Sequence, residues 1–210
     1  FVNDPDRWRT SERQLELCLG LSGKGLAGID IVTDPYDTEA DLVLWDKVYG
    51  WAGRAAAAGL GITVHAGEFS TANLAAALQT PGLRRLGHAV YAARDARLLE
   101  QLAQSGVTVE CSLSCNVVLG AVSSYESHPI RRFVEWGIPV TLSTDDPVRV
   151  WTTIGREYAL AHALGFSLGD LFAFTRRAVE AAFTSGDRRQ ELFAVLNEWE
   201  RSNPVIHLAG

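Results

Sequence analysis

Ile62-Thr63-Val64-His65-Ala66-Gly67-Glu68 decides how this chain is read. A short run of β-branched residues reads as a strand, and this one ends on an imidazole, a glycine and a carboxylate. The same grammar recurs downstream. Leu86-Gly87-His88-Ala89-Val90 is strand-like and carries Gly87-His88. Ile138-Pro139-Val140-Thr141-Leu142-Ser143 runs straight into Thr144-Asp145-Asp146-Pro147. Two further apolar runs, Leu26–Val32 and Val107–Cys111, complete a set of five predicted strands.

The intervening segments read as helices. Residues 38–59 keep Leu42, Trp45, Val48, Tyr49 and Ala52 at helical spacing. Helices are expected over 11–20, 71–78, 94–104 and 129–136, the last opened by Pro129 at a first helical position. Three more follow near 150–163, 167–181 and 187–201, while 112–124 reads as a long loop. Strands alternating with helices argue for βα units and a parallel sheet. Five such units do not close an eight-stranded barrel of typically about 250 residues. The expected fold is therefore α/β, a partial (β/α)8 barrel read as a single domain over 1–210, with N-terminal units missing.

Parallel barrels keep their chemistry at the C-terminal ends of the strands, where all three islands fall. Two imidazoles and three carboxylates would converge there. A histidine, a glutamate three residues on and a distant aspartate pair suit a hydrolytic zinc site. The metal acidifies a water, an acidic side chain moves protons, and a last carboxylate holds substrate. The chain has no His-x-His pair, so the site is half of one.

Composition narrows the partners. The 210 residues are 47% hydrophobic, enough for a sizeable core, and carry a net charge of −6. No basic run suggests nucleic acid, and no apolar stretch approaches the roughly 20 residues that span a bilayer. A small molecule is the expected partner. Cys18, Cys111 and Cys115 are odd in number and widely spread, which reads as free thiols in a reducing cytoplasm. Trp45, Trp51, Trp136 and Trp199 lie at helical spacing and read as core. Trp151 is placed to border the pocket. Ser112 and Ser114 are at a strand end, where backbone bonding is at least as good a reading as substrate contact. His128 before Pro129 reads as fixing a helix start, and His162 and His207 as packing or surface residues.

His65-Ala66-Gly67-Glu68, then Gly87-His88, then Ser143-Thr144-Asp145-Asp146-Pro147, in this order at these strand ends, resemble the adenosine deaminase family of metal-dependent purine aminohydrolases. Asn116–Val122 and His128-Pro129-Ile130 look like its bacterial members. The resemblance implies a (β/α)8 barrel holding one divalent metal, usually zinc. It implies His65 and Asp145 as metal ligands and Glu68 as proton donor to the purine N1. It implies His88 as the group that orients the attacking hydroxide, and Asp146 as hydrogen-bonding the purine N7. The family's first-strand His-x-His is absent, so the missing N-terminal barrel half is expected in cis or in a partner chain. Thr33 stands where adenosine-specific members have a glycine that meets the base, leaving adenosine, adenine or another 6-aminopurine as the implied substrate. Two rivals remain. An amidohydrolase with two metals bridged by a carbamylated lysine is disfavoured, since Lys24 and Lys47 end no predicted strand. A non-catalytic barrel fragment acting as a binding protein is the other.

Overall fold

The computed structural model describes residues 8–33 and 36–204. Five strands, β1 (Gly28–Val32), β2 (Gly61–Ala66), β3 (Leu83–His88), β4 (Thr108–Cys111) and β5 (Val140–Leu142), pair side by side in chain order, every pair parallel. Around them run α1 (Trp8–Leu21), α2 (Leu42–Ala57), α3 (Leu74–Ala77), α4 (Ala96–Ser105), α5 (Leu113–Val118), α6 (Ile130–Glu135), α7 (Ile154–Ala163), α8 (Leu168–Ala181) and α9 (Gly186–Ser202). This is an α/β fold, five units of a (β/α)8-type barrel.

Side chains alternate across a pleated strand, and the register makes the consequence explicit. Ile31, Ile62, Val64, Leu86, Val109 and Val140 share one face and form the buried core with Trp45, Val48, Leu99, Leu102 and Phe133 from the helices. The opposite face carries Asp30, Thr63, His65, Arg85 and Glu110. A polar network ties it together: Thr63 Oγ1 donates to Glu110 Oε2 at 3.1 Å, and Arg85 Nε pairs with Glu110 Oε1 at 3.1 Å. Helix starts are locally encoded. Asp41 accepts from the amides of Val43 and Leu44, Asp95 from those of Arg97 and Leu98, and Ser167 forms a capping box with Asp170.

Several elements depart from the sequence-based expectation. β3 starts at Leu83, ahead of the expected 86–90, and hands over at Val90 to a 3-10 turn, Val90–Arg94. The two arginines hide the strand in the pattern, but Arg85 is held by Glu110 and stacks on the Phe183 ring at 3.8 Å. The helix expected over 71–78 is only the four residues of α3, and the expected loop 112–124 contains α5. Trp45 and Trp51 are buried as expected, whereas Trp136 and Trp199 are 42% and 48% exposed. Trp136 follows the end of α6, and Trp199 lies on α9, which buries none of its residues. His162 is an exposed residue, within the expected surface-or-packing reading, its Nδ1 bonded to the Phe166 carbonyl at 2.9 Å, while His207 lies outside the described residues. Among the described residues no helix is long and apolar enough to cross a membrane.

Candidate active site

Parallel pairing sets the strand ends level: Val32 is opposite His65, His65 opposite Gly87, and Cys111 opposite Leu142. A cavity of about 210 Å3 opens there, and Thr33, His65, Glu68, His88 and Asp145 all line it. Asp146 and Trp151 are not among its lining. Asp146 Oδ1 accepts from the Arg149 amide at 3.3 Å, which caps the turn after β5, and its carboxylate lies 3.6 Å from Arg149 Nε. Trp151 is 85% exposed. Ser112 and Ser114 are buried, and the Ser114 hydroxyl lies 3.2 Å from Thr152 Oγ1.

Two glycines make the site sterically feasible. Gly67 sits at φ +73°, where a Cβ would come within 2.8 Å of the Leu74 side chain. A Cβ on Gly87 would press on the His65 ring at 3.2 Å. Non-glycine residues with positive φ cluster at the same rim: His88 at 67°, Ala89 at 53° and Asp145 at 55°. Backbone held in that region costs on the order of 1–3 kcal/mol per residue and persists where the surroundings enforce it.

Asp30 on β1 holds His65, with Nδ1 3.0 Å from Oδ1 and 2.9 Å from Oδ2. Burial is the largest influence on His65 and pulls its pKa down. The Asp30 hydrogen bond and charge, with Asp145 and Glu110, outweigh it and raise the pKa. Burial first, then the charge of Asp145, push the Glu68 carboxyl up to about 7, against smaller pulls from His65 and the Asn116 hydrogen bond. Burial, reinforced by the charge of His65, lowers His88. His88 Nε2 lies 3.7 Å from Glu68 Oε2 and 3.8 Å from Asp145 Oδ2, and its ring meets that of His65 edge-on at 4.9 Å. The Thr33 hydroxyl reaches back to the His65 carbonyl at 3.4 Å.

Donor atoms of His65, His88 and Asp145 lie within 4.8 Å of one another, as do those of Glu68, Cys115 and Asp145. Neutral imidazole and carboxylate are the donors a catalytic zinc uses. Asp30 occupies His65 Nδ1 and leaves Nε2 for a metal, the way outer partners commonly orient a ligating histidine. The donor set fits a divalent metal on its chemistry.

Sequence reasoning missed three residues here. Asn116 is fully buried and donates from Nδ2 to His88 Nδ1 at 3.1 Å and to Glu68 Oε1 at 3.4 Å. Cys115 donates its thiol to Asp145 Oδ2 at 2.8 Å, and burial with that hydrogen bond raises its pKa. All three cysteines are free. Glu157, fully buried on α7, accepts from Thr152 Oγ1 and from the Ser114 amide at 3.1 Å, which ties α5 to the segment after Asp145. The one signal the sequence offered is the likeness of the stretch beginning at Asn116, Asn116–Val122, to bacterial members of the family.

A partial parallel barrel with imidazoles and carboxylates gathered at the strand C-termini defines the class: a (β/α)8-type barrel with a candidate metal centre at the strand ends. The chain belongs to the adenosine deaminase family, whose model, described as Adenosine deaminase, matches residues 4–199. An adenine deaminase of Rhizobium leguminosarum bv. trifolii is 44% identical over 141 residues, which is 66% of this chain and 44% of that protein. The chain thus spans less than half the length of this curated relative. The N6-methyl-AMP deaminase of Arabidopsis thaliana superposes with a TM-score of 0.79 at 28% identity, over 90% of this chain and 55% of that one. Arabidopsis ADAL complexed with IMP gives 0.80 at 26%, over 92% and 55%.

Proposed function

We propose that the protein removes the 6-amino group of a purine by hydrolysis, with free adenine the first substrate to test ahead of adenosine and N6-methyl-AMP. The observation that carries this reading is Glu68. It is a carboxyl raised to about 7 by burial and by Asp145, lining the same cavity as His65, His88 and Asp145. Replacing an amine on an aromatic carbon needs an oxygen delivered to that carbon and a proton on the adjacent ring nitrogen. A carboxyl that is about half protonated at neutral pH is matched to the second task. His65 and Asp145 would hold zinc, with the remaining ligands coming from segments outside this chain. Zinc, when bound, supplies an acidified water.

The chain's own residues divide the remaining work. Glu68 donates to the ring nitrogen, and His88 orients the attacking oxygen. Asp146 would reach a purine nitrogen by giving up its exposed pair with Arg149, a contact of the kind that contributes at most about 1 kcal/mol. Thr33 adds a side chain where the family's adenosine-specific members have glycine. The preference for adenine follows from that extra bulk and from the rhizobial adenine deaminases at 42–44% identity.

The test is ammonia release from adenine and adenosine, and methylamine release from N6-methyl-AMP, by the full natural protein supplied with zinc. Glu68→Gln is expected to lower kcat by roughly a hundred- to ten-thousandfold, the usual contribution of a general acid, with KM little changed. If no amine is released from any 6-aminopurine, the deaminase reading fails and the non-catalytic one takes its place.

A further inference from the structure

His128 is 4% exposed and lies outside the cavity. Its Nδ1 accepts a hydrogen bond from the Ile130 backbone amide at 3.1 Å, and its Nε2 lies 3.2 Å from Asn116 Oδ1. Asn116 in turn meets His88 and Glu68. The direction of this chain of bonds follows from its first member. A peptide N–H can only donate, so His128 Nδ1 carries no proton, and the single proton of the neutral ring is on Nε2. That Nε2–H donates to Asn116, whose Oδ1 must therefore be the atom facing His128. The amide NH2 is left to face His88 Nδ1 and Glu68 Oε1, an oxygen that accepts from it when it carries no proton. His88 Nδ1 is then an acceptor, so the proton of His88 sits on Nε2, the nitrogen facing Glu68 Oε2 and Asp145 Oδ2.

We propose that His128 and Asn116 are positioning residues that fix His88 in its Nε2–H tautomer, so that His88 meets the attacking oxygen as a hydrogen-bond donor. A donor at that point turns a lone pair of the oxygen toward the substrate carbon and takes no proton from it. Asn116 sets two catalytic groups at once, because its second N–H leaves Glu68 Oε2 as the oxygen free for the purine. Burial supports the neutral state of His128, lowering its pKa to about 3.

The proposal rests on the deaminase reading for its kinetic consequence only, since the tautomer is measurable without substrate. The experiment uses the full natural protein and two variants. His128→Asn keeps a carbonyl near the Nδ1 position for the Ile130 amide and has no donor long enough for Asn116. His128→Gln places an amide donor near the Nε2 position. Expected are a roughly ten- to hundredfold fall in kcat for His128→Asn, KM unchanged, and recovery of most of that loss in His128→Gln. Proton–nitrogen correlation spectra of nitrogen-labelled protein should show His88 as the Nε2–H tautomer in the wild type and as a mixture in His128→Asn. A wild-type His88 protonated on Nδ1 overturns the proposal even if the variant does not fold. So does full kcat in His128→Asn, or a fall in kcat with the His88 tautomer unchanged. Absence of any deaminase activity sinks the functional reading while the spectra still decide this one.

Discussion

A buried histidine is a stability device as well as a positioning one, and the direction of its effect follows from its pKa. His128 titrates near 3 in the folded protein because burial, and then the charge of His88, disfavour its imidazolium. Unfolded, it returns to about 6.5. Between those values the unfolded chain binds a proton that the folded one does not, so stability rises with pH through that window. The contribution is fully present above about 6.5 and is lost progressively as pH falls toward 3, at most about 5 kcal/mol at 1.36 kcal/mol per unit. His88 pulls in the same direction, since burial lowers it too. The urea midpoint of the wild type is therefore expected to drop from pH 7 to pH 4. His128→Gln, which cannot take up a proton, should flatten that slope. An unchanged slope in the variant would mean that His128 is not the buried neutral group described here.

At the scale of elements, the legible part of the fold is the part that local chemistry encodes. β2 and β5 were readable because β-branched runs end abruptly on Gly or Asp, and α2 because its apolar residues recur at helical spacing behind the Asp41 cap. α5 was not. Leu113-Ser114-Cys115-Asn116-Val117-Val118 combines Ser, Asn and two valines, residues with poor helix propensity, and its N-cap Ser112 makes no side-chain capping bond. The segment is helical because tertiary bonds hold it, the Ser114 amide to Glu157 and Asn116 to His88 and His128. For the same reason His65, Glu68, His88 and Asp145 could be picked from strand ends, whereas Asn116, Cys115 and Glu157 declare themselves only once β4, α5 and α7 are packed. Glu157 is the anchor of that packing. Glu157→Ala leaves the Ser114 amide buried without its acceptor, at a cost of about 1–3 kcal/mol, and leaves the Thr152 hydroxyl only Ser114 Oγ as a partner. The expected loss is a few kcal/mol in a denaturation curve, with greater protease sensitivity in 112–124. A variant within about 0.5 kcal/mol of wild type would show that α5 is held by its apolar side chains instead.

At the scale of the whole molecule, the decisive fact is that the sheet formed by the described residues is open. Among the described residues β1 pairs only with β2, and β5 only with β4. Each therefore carries one unpaired edge of backbone donors and acceptors, a template for another chain. A cavity of about 490 Å3 lies beside β1, lined by Leu15, Leu17, Ile29, Ile31 and Trp51, and Leu17 on its border is 64% exposed. In a closed barrel both edges would be paired, and the polar face carrying Asp30, His65 and Glu110 would line an enclosed interior. On the proposed metal site, such closure is expected to bring further donors to His65 and Asp145, so that completing the sheet would also complete the site. Residues 1–210 expressed alone should therefore self-associate through the open edges and bind zinc weakly, having only part of a ligand set. Sedimentation velocity across a concentration series, with zinc titrated in parallel, tests both expectations on the same sample. A concentration-independent monomer that unfolds cooperatively would show that five strands form a finished domain. Tight zinc binding by that monomer would further show that His65, His88 and Asp145, or Glu68, Cys115 and Asp145, suffice as a site without added strands.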